Sequence, residues 1–139
     1  MKTKLLVAAA ALALAACGQT SVFDIGVGDC FDDPSEVDQV SSVQVVDCAE
    51  PHDNEVYAVF DYTGGIEFPG EDEMEFAAND GCIGRFESFV GIDYFESEIF
   101  VSAFWPSPDS WEDGDREIVC FVYEGDFSKI TGTLRNAAR

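Results

Sequence analysis

The stretch EDEMEFAANDGCIGRFESFV, residues 71–90, reads as the one main helix of the chain. Glu71, Asp72, Glu73 and Glu75 crowd its first turns, where carboxylates interact favourably with the positive end of the helix dipole. Ala78, Cys82, Phe86 and Phe89 recur at spacings of four and three, which gathers them into one apolar stripe that needs a partner surface. Gly91 follows as the stop. Gly81 and Gly84 work against the helix, since glycine is a poor helix former.

The segments flanking the helix read as strands. Residues 43–48 (VQVVDC) are rich in β-branched side chains. Glu50-Pro51-His52-Asp53-Asn54 interrupts them with turn chemistry. Residues 55–61 (EVYAVFD) are extended again, and strict alternation would put Val56, Ala58 and Phe60 on one face, Tyr57 and Val59 on the other. Beyond the helix, residues 99–105 (IFVSAFW) form the most apolar strand candidate, ended by Pro106-Ser107-Pro108-Asp109. Asp113-Gly114-Asp115 suggests a hairpin turn. Ile118, Cys120 and Val122 then alternate, with Cys120 facing inwards. The tail from Gly125 to Arg139 has little to bury except Ile130 and Leu134, which are expected to dock. Strands grouped around a single helix imply an α+β domain: a small antiparallel sheet of about four strands, covered by one main helix and stapled by two disulfides.

The first sixteen residues carry a different signal. Lys2 and Lys4 precede an apolar run from Leu5 to Ala16, the layout of an export signal. The run is too short to span a membrane, which takes roughly 20 apolar residues. It ends in Leu14-Ala15-Ala16-Cys17, followed by Gly18, and looks like a bacterial lipobox. The expected organisation is a signal peptide over 1–16, a lipidated Cys17 with a tether over 17–25, and a folded domain over 26–139. The expected location is the extracytoplasmic face of the cell membrane, where the lipid on Cys17 holds the chain to the bilayer.

Cys30, Cys48, Cys82 and Cys120 are then an even set in an exported chain, which fits disulfides. Four cysteines permit three pairings. Cys30–Cys48 would close a short loop between neighbouring segments, and Cys82–Cys120 would tie the helix to a later strand. Zinc is disfavoured because no C-x-x-C pair occurs. No cofactor is implied.

The chain has 7 basic and 28 acidic residues. Loss of Lys2 and Lys4 with the signal would leave five basic residues and a net charge of −23. Such a surface repels nucleic acid and anionic headgroups, and it attracts cations or basic partners.

Catalytic candidates are few, and no catalytic residue is assigned. His52 is the only histidine, so a two-histidine metal site cannot form within one chain, and no metal site is assigned. Beside Asp53 and Glu55 it could ligate a metal or serve as a base, or sit hydrogen-bonded to backbone in its turn. No G-x-S-x-G elbow occurs. Paired cysteines offer no free thiol. Asp109 to Asp113-Gly114 has a faint calcium-loop pattern, yet Trp111 occupies a ligand position and Cys120 stands where a bidentate Glu belongs. Twelve Phe, four Tyr and two Trp exceed what a small core requires. Phe104 and Trp105 must point to opposite faces of their strand. An exposed aromatic patch is therefore a candidate for binding a partner or glycan, with Trp105, Trp111 and His52 as its candidate residues. The alternative is that the helix covers one face of the sheet and the tail the other.

Several pieces together carry a resemblance: Val27-Gly28-Asp29-Cys30-Phe31, the run VVDCAEPHDNEVYAVFD over 45–61, the helix with Cys82, Phe89-Val90-Gly91, Pro106, Trp111, Gly114-Asp115-Arg116, Val119-Cys120 and Thr131-Gly132-Thr133-Leu134. The chain resembles the septum formation domain family of actinobacterial envelope proteins. The resemblance implies a part in cell division or envelope growth and supplies no reaction, ligand or catalytic residue. The expected function is a non-enzymatic, lipid-anchored envelope module that scaffolds or binds an envelope protein. The runner-up is a small-ligand or cation-binding module using the acidic turns near His52 and Asp113.

Overall fold

The computed structural model describes residues 18–34 and 40–139. The expected signal peptide and the expected lipidation site, Cys17, lie outside the described residues, as does most of the polar connection from Glu36 to Ser42.

The elements are, in chain order, β1 (Thr20–Ser21), β2 (Cys30–Asp32), β3 (Ser42–Val46), β4 (Asn54–Asp61), α1 (Glu71–Val90), a 3-10 turn at Tyr94–Glu96, β5 (Ile99–Phe104), α2 (Pro108–Glu112) and β6 (Glu117–Glu124). They build one antiparallel sheet in the order β1-β3-β2-β4-β6-β5. The α+β class, the main helix and the two disulfides are as the sequence implies. The strand number is corrected from about four to six. The two additional strands are β1, of two residues, and β2, of three. Runs this short carry no period of their own, and they are extended because β3 and β4 supply their hydrogen-bond partners.

Helix α1 packs Met74, Ala78, Cys82, Phe86, Phe89 and Val90 onto the sheet. Gly91 ends it in the left-handed conformation, its N–H donating to the Glu87 carbonyl. Gly81 has a packing reason: a Cβ there would meet the Phe60 ring at 2.3 Å, so the helix and β4 approach this closely only with glycine. The Arg85 guanidinium lies over the same ring, 4.0 Å from its centre. Cys82–Cys120 ties α1 to β6, and Cys30–Cys48 ties β2 to the turn after β3.

β4 departs from strict alternation. Its register against β6 shifts between Val56 and Ala58, and Tyr57 and Ala58 both enter the core beneath α1 while Val56 and Val59 face away. Such a bulge inserts one residue into one strand and re-aims its side chains. The Tyr57 hydroxyl uses the position to donate to the Cys82 carbonyl at 2.6 Å.

The sheet is covered on both faces, though the tail does not take the face opposite the helix. The tail joins α1 on the same core, with Ile130 and Leu134 both buried there. The opposite face packs Phe31, Val43, Val56, Val119 and Phe121 against Val22 and Ile25. Residues 18–25, expected as a tether, thus contribute a strand and two buried side chains, because that face would otherwise lie bare to water. The link between β5 and β6 is also longer than a tight hairpin. Its α2 is capped by Ser107, whose hydroxyl accepts from the Ser110 amide while the Ser110 hydroxyl accepts from the Ser107 amide.

Candidate functional site

On the face away from α1, β5 presents Phe100, Ser102 and Phe104, the positions opposite Tyr123, Phe121 and Val119 of β6. Phe104 packs on Phe31 and Phe121, with ring centres 5.8 and 4.8 Å apart. Phe100 meets Tyr123 at 6.0 Å, and Tyr123 stacks on Phe127 at 5.8 Å. Between these two aromatic groups stands only the small side chain of Ser102. The result is a cleft of about 240 Å³, open to solvent.

The cleft is aromatic on its floor and acidic at its rim. Phe121 and Tyr123 form the floor, Phe127 one wall, and Asp33 and Asp53 the rim. Phe127 is 78 % exposed and has φ of 59°, a left-handed backbone that costs a non-glycine residue of order 1–3 kcal/mol and recurs at functional sites. Lys129 bridges Asp32 and Asp53 at 2.6 and 2.9 Å. Arg139 pairs with Glu124. Asp33 accepts from the Asn54 amide at 2.8 Å, and its N–H donates to Asp53 at 3.0 Å. Three carboxylates, Asp32, Asp33 and Asp53, therefore stand around one cation, Lys129, a local excess of two negative charges. Partial burial pushes the Asp53 carboxyl up, but the Asp33 amide and Lys129 outweigh it and hold the group below its ordinary range. It is ionised at neutral pH.

The residues named from sequence lie elsewhere. His52 is fully buried. Its backbone bridges Ile130 in both directions, at 2.9 and 2.8 Å. Its Nδ1 lies 2.8 Å from the Glu50 carbonyl; a carbonyl only accepts, so Nδ1 carries the proton. Nε2 has no hydrogen-bond partner among the described residues. A ring enclosed in this way reaches no substrate. Trp111 is buried too, donating from Nε1 to the Ile66 carbonyl at 3.1 Å beneath the Arg116 guanidinium, 3.4 Å from the ring centre. Trp105 is partly exposed just beyond β5. Neither tryptophan nor His52 lines the cleft. Among the described residues, no three His, Cys, Asp or Glu side chains are grouped to hold a metal ion.

A buried carboxylate forms a second polar centre. Glu55 accepts from the Thr133 hydroxyl at 2.5 Å and from the Leu134 amide at 2.8 Å. Gly132 donates to the Cys48 carbonyl at 2.7 Å. The turn after β3 and the tail are thereby closed into one joint.

The family model described as septum formation matches residues 27–139. The chain belongs to the septum formation family. No curated protein and no solved structure matches it.

The segments that carry the resemblance to the septum formation family are joints of the fold. At the closure of the tail Cys48 meets Gly132, His52 meets Ile130, and Glu55 holds Thr133 and Leu134. Trp111, Gly114, Asp115 and Arg116 form the loop before β6. There Asp115 accepts from the Ser110 hydroxyl at 2.9 Å and the Glu117 amide at 3.0 Å, and Arg116 donates to the Trp111 carbonyl at 3.0 Å. In this septum formation domain Asp53 lies in the acidic turn named from sequence beside His52, whereas the cleft residues Ser102, Tyr123 and Phe127 were not named. The pairing of β6 with β4 on one side and β5 on the other brings them together, and no spacing in the chain announces it.

Proposed function

We propose that this member of the septum formation family is a lipid-anchored, extracytoplasmic and non-enzymatic interaction module. It acts in septum formation by holding a cationic group of an envelope protein in the cleft at Ser102. The observation that carries this reading is the cleft itself: an aromatic floor beneath a rim of carboxylates, the combination that attracts an ammonium or guanidinium through both charge and ring quadrupole. The ion pairs of Lys129 lie at the surface, where such pairs contribute only about 0–1 kcal/mol, so a ligand cation can exchange with Lys129 at little cost. Lipidation at Cys17 would leave only Gly18 and Gln19 before β1, a reach of at most about 10 Å. The domain would then work against the membrane surface.

Ser102→Phe tests the reading, because the added ring fills the space between Phe100 and Phe104 without touching the core under α1. Full-length chain carrying a photoreactive residue at Phe127 is expected to crosslink an envelope protein in living cells. Ser102→Phe should abolish that crosslink and disturb septum placement while leaving the melting temperature unchanged. The same crosslinks with and without Ser102→Phe, in cells that divide normally, would remove the cleft from the function.

A further inference from the structure

We infer that the open edge of β5 accepts an extended basic peptide as an additional strand of the sheet. This rests on the cleft being a site for a cationic group, and it names how that group is delivered.

β5 ends the strand order, so among the described residues its outer row of backbone groups has no neighbouring strand. Sheet edges are normally guarded by charge, proline, a bulge or extreme shortness. The other edge, β1, is only two residues long. β5 has none of these guards. Its six residues, IFVSAF, include no charge and no proline, and its register with β6 runs unbroken from Ile99 to Phe104. The flanking guards, Glu98 and Pro106, stand outside it. Phe100 is 45 % exposed there.

The pleat then dictates what the added strand carries. On the cleft side β5 shows Phe100, Ser102 and Phe104; on the α1 side it shows Ile99, Val101 and Ala103. A strand laid about 4.8 Å away has the same alternation. Its cleft-side positions run beside Ser102 towards the rim of Asp33 and Asp53, and long basic side chains suit them. Its α1-side positions meet small apolar side chains, and valine or similar residues suit those. Charge selects this occupant over the alternatives: a second copy of a chain with net charge −21, or an anionic bilayer, would bring like charge to the rim.

The probe is a hexapeptide alternating lysine and valine, added to the full chain in detergent micelles. Its control is the same sequence N-methylated at alternate residues, which keeps the charge but cannot continue a hydrogen-bond ladder. The unmodified peptide is expected to slow hydrogen exchange of outward β5 amides by about tenfold or more and to shift resonances of Ser102 and Tyr123. The methylated control should leave β5 exchange unchanged and shift those resonances far less. If both peptides shift cleft resonances alike while β5 exchange stays unchanged, strand addition is overturned and the cationic cleft stands. Protection of β5 that grows with protein concentration without peptide would assign the edge to a second copy and overturn the proposal. No response to either peptide would overturn both the edge and the cationic cleft.

Discussion

Glu55 and Leu134 lie 79 residues apart in the chain and meet through a buried hydrogen bond, the Leu134 amide donating to Oε2 of Glu55 at 2.8 Å. With Oε1 holding the Thr133 hydroxyl, one carboxylate from β4 fixes the tail. Beyond that point Asn136 donates to the Phe89 carbonyl and Ala138 to the Val90 carbonyl, so the tail also closes the end of α1.

Glu55→Leu keeps much of the volume but removes both acceptors, so the buried Leu134 N–H loses its partner. Leaving a buried donor unmet costs about 1–3 kcal/mol. Urea unfolding should register that loss, and hydrogen exchange at Leu134 should accelerate well before the β6 amides do. Unchanged exchange at Leu134 would show that the tail is held by Ile130 alone.

Tyr57 supplies a pH dependence. Burial pushes its hydroxyl well above the ordinary tyrosine value, a rise that nearby Arg85 only partly opposes. A raised value in the folded state means that folding stability is complete below the unfolded pKa of about 10 and declines as pH rises beyond it. Alkaline unfolding should therefore begin above that pH. Tyr57→Phe should flatten the decline in chemical-denaturation measurements across the alkaline range, at the cost of the hydrogen bond to Cys82.

The two glycines inside α1 should respond oppositely to alanine. Gly84 has open space where a Cβ would go, so Gly84→Ala should stabilise by about 0.5–1 kcal/mol through helix preference alone. Gly81→Ala drives a methyl into the Phe60 ring and should destabilise, pushing that ring out from under the Arg85 guanidinium. Thermal melts of the two variants suffice; equal shifts would show that Phe60 swings aside freely.

How much of this was legible beforehand follows from length and period. α1 was readable to its ends, Glu71 and Val90, because twenty residues repeat the helical stripe several times and Gly91 stops it. β3, β4, β5 and β6 were readable from β-branched and aromatic runs; the Cys82–Cys120 staple was the favoured one of three pairings that the sequence alone leaves open, and the fold selects it. The bulge in β4 was not legible, since VYAVF is apolar throughout and its alternation gives no sign of a skipped position. Trp111 drew attention as a large aromatic in a loop, yet its ring is spent on Tyr62, Phe68 and Arg116.

By itself, then, the sequence determined the α+β class, the main helix, the inward cysteines and the acidic character, all of which depend on local period or on composition. Only the tertiary structure decided that the N-terminal segment and the tail cover opposite faces, that Glu55 locks the tail, and that Ser102 opens a cleft. Those features arise where residues far apart in the chain meet, and the free energy of such contacts comes from mutual burial and pairing, which no local pattern encodes.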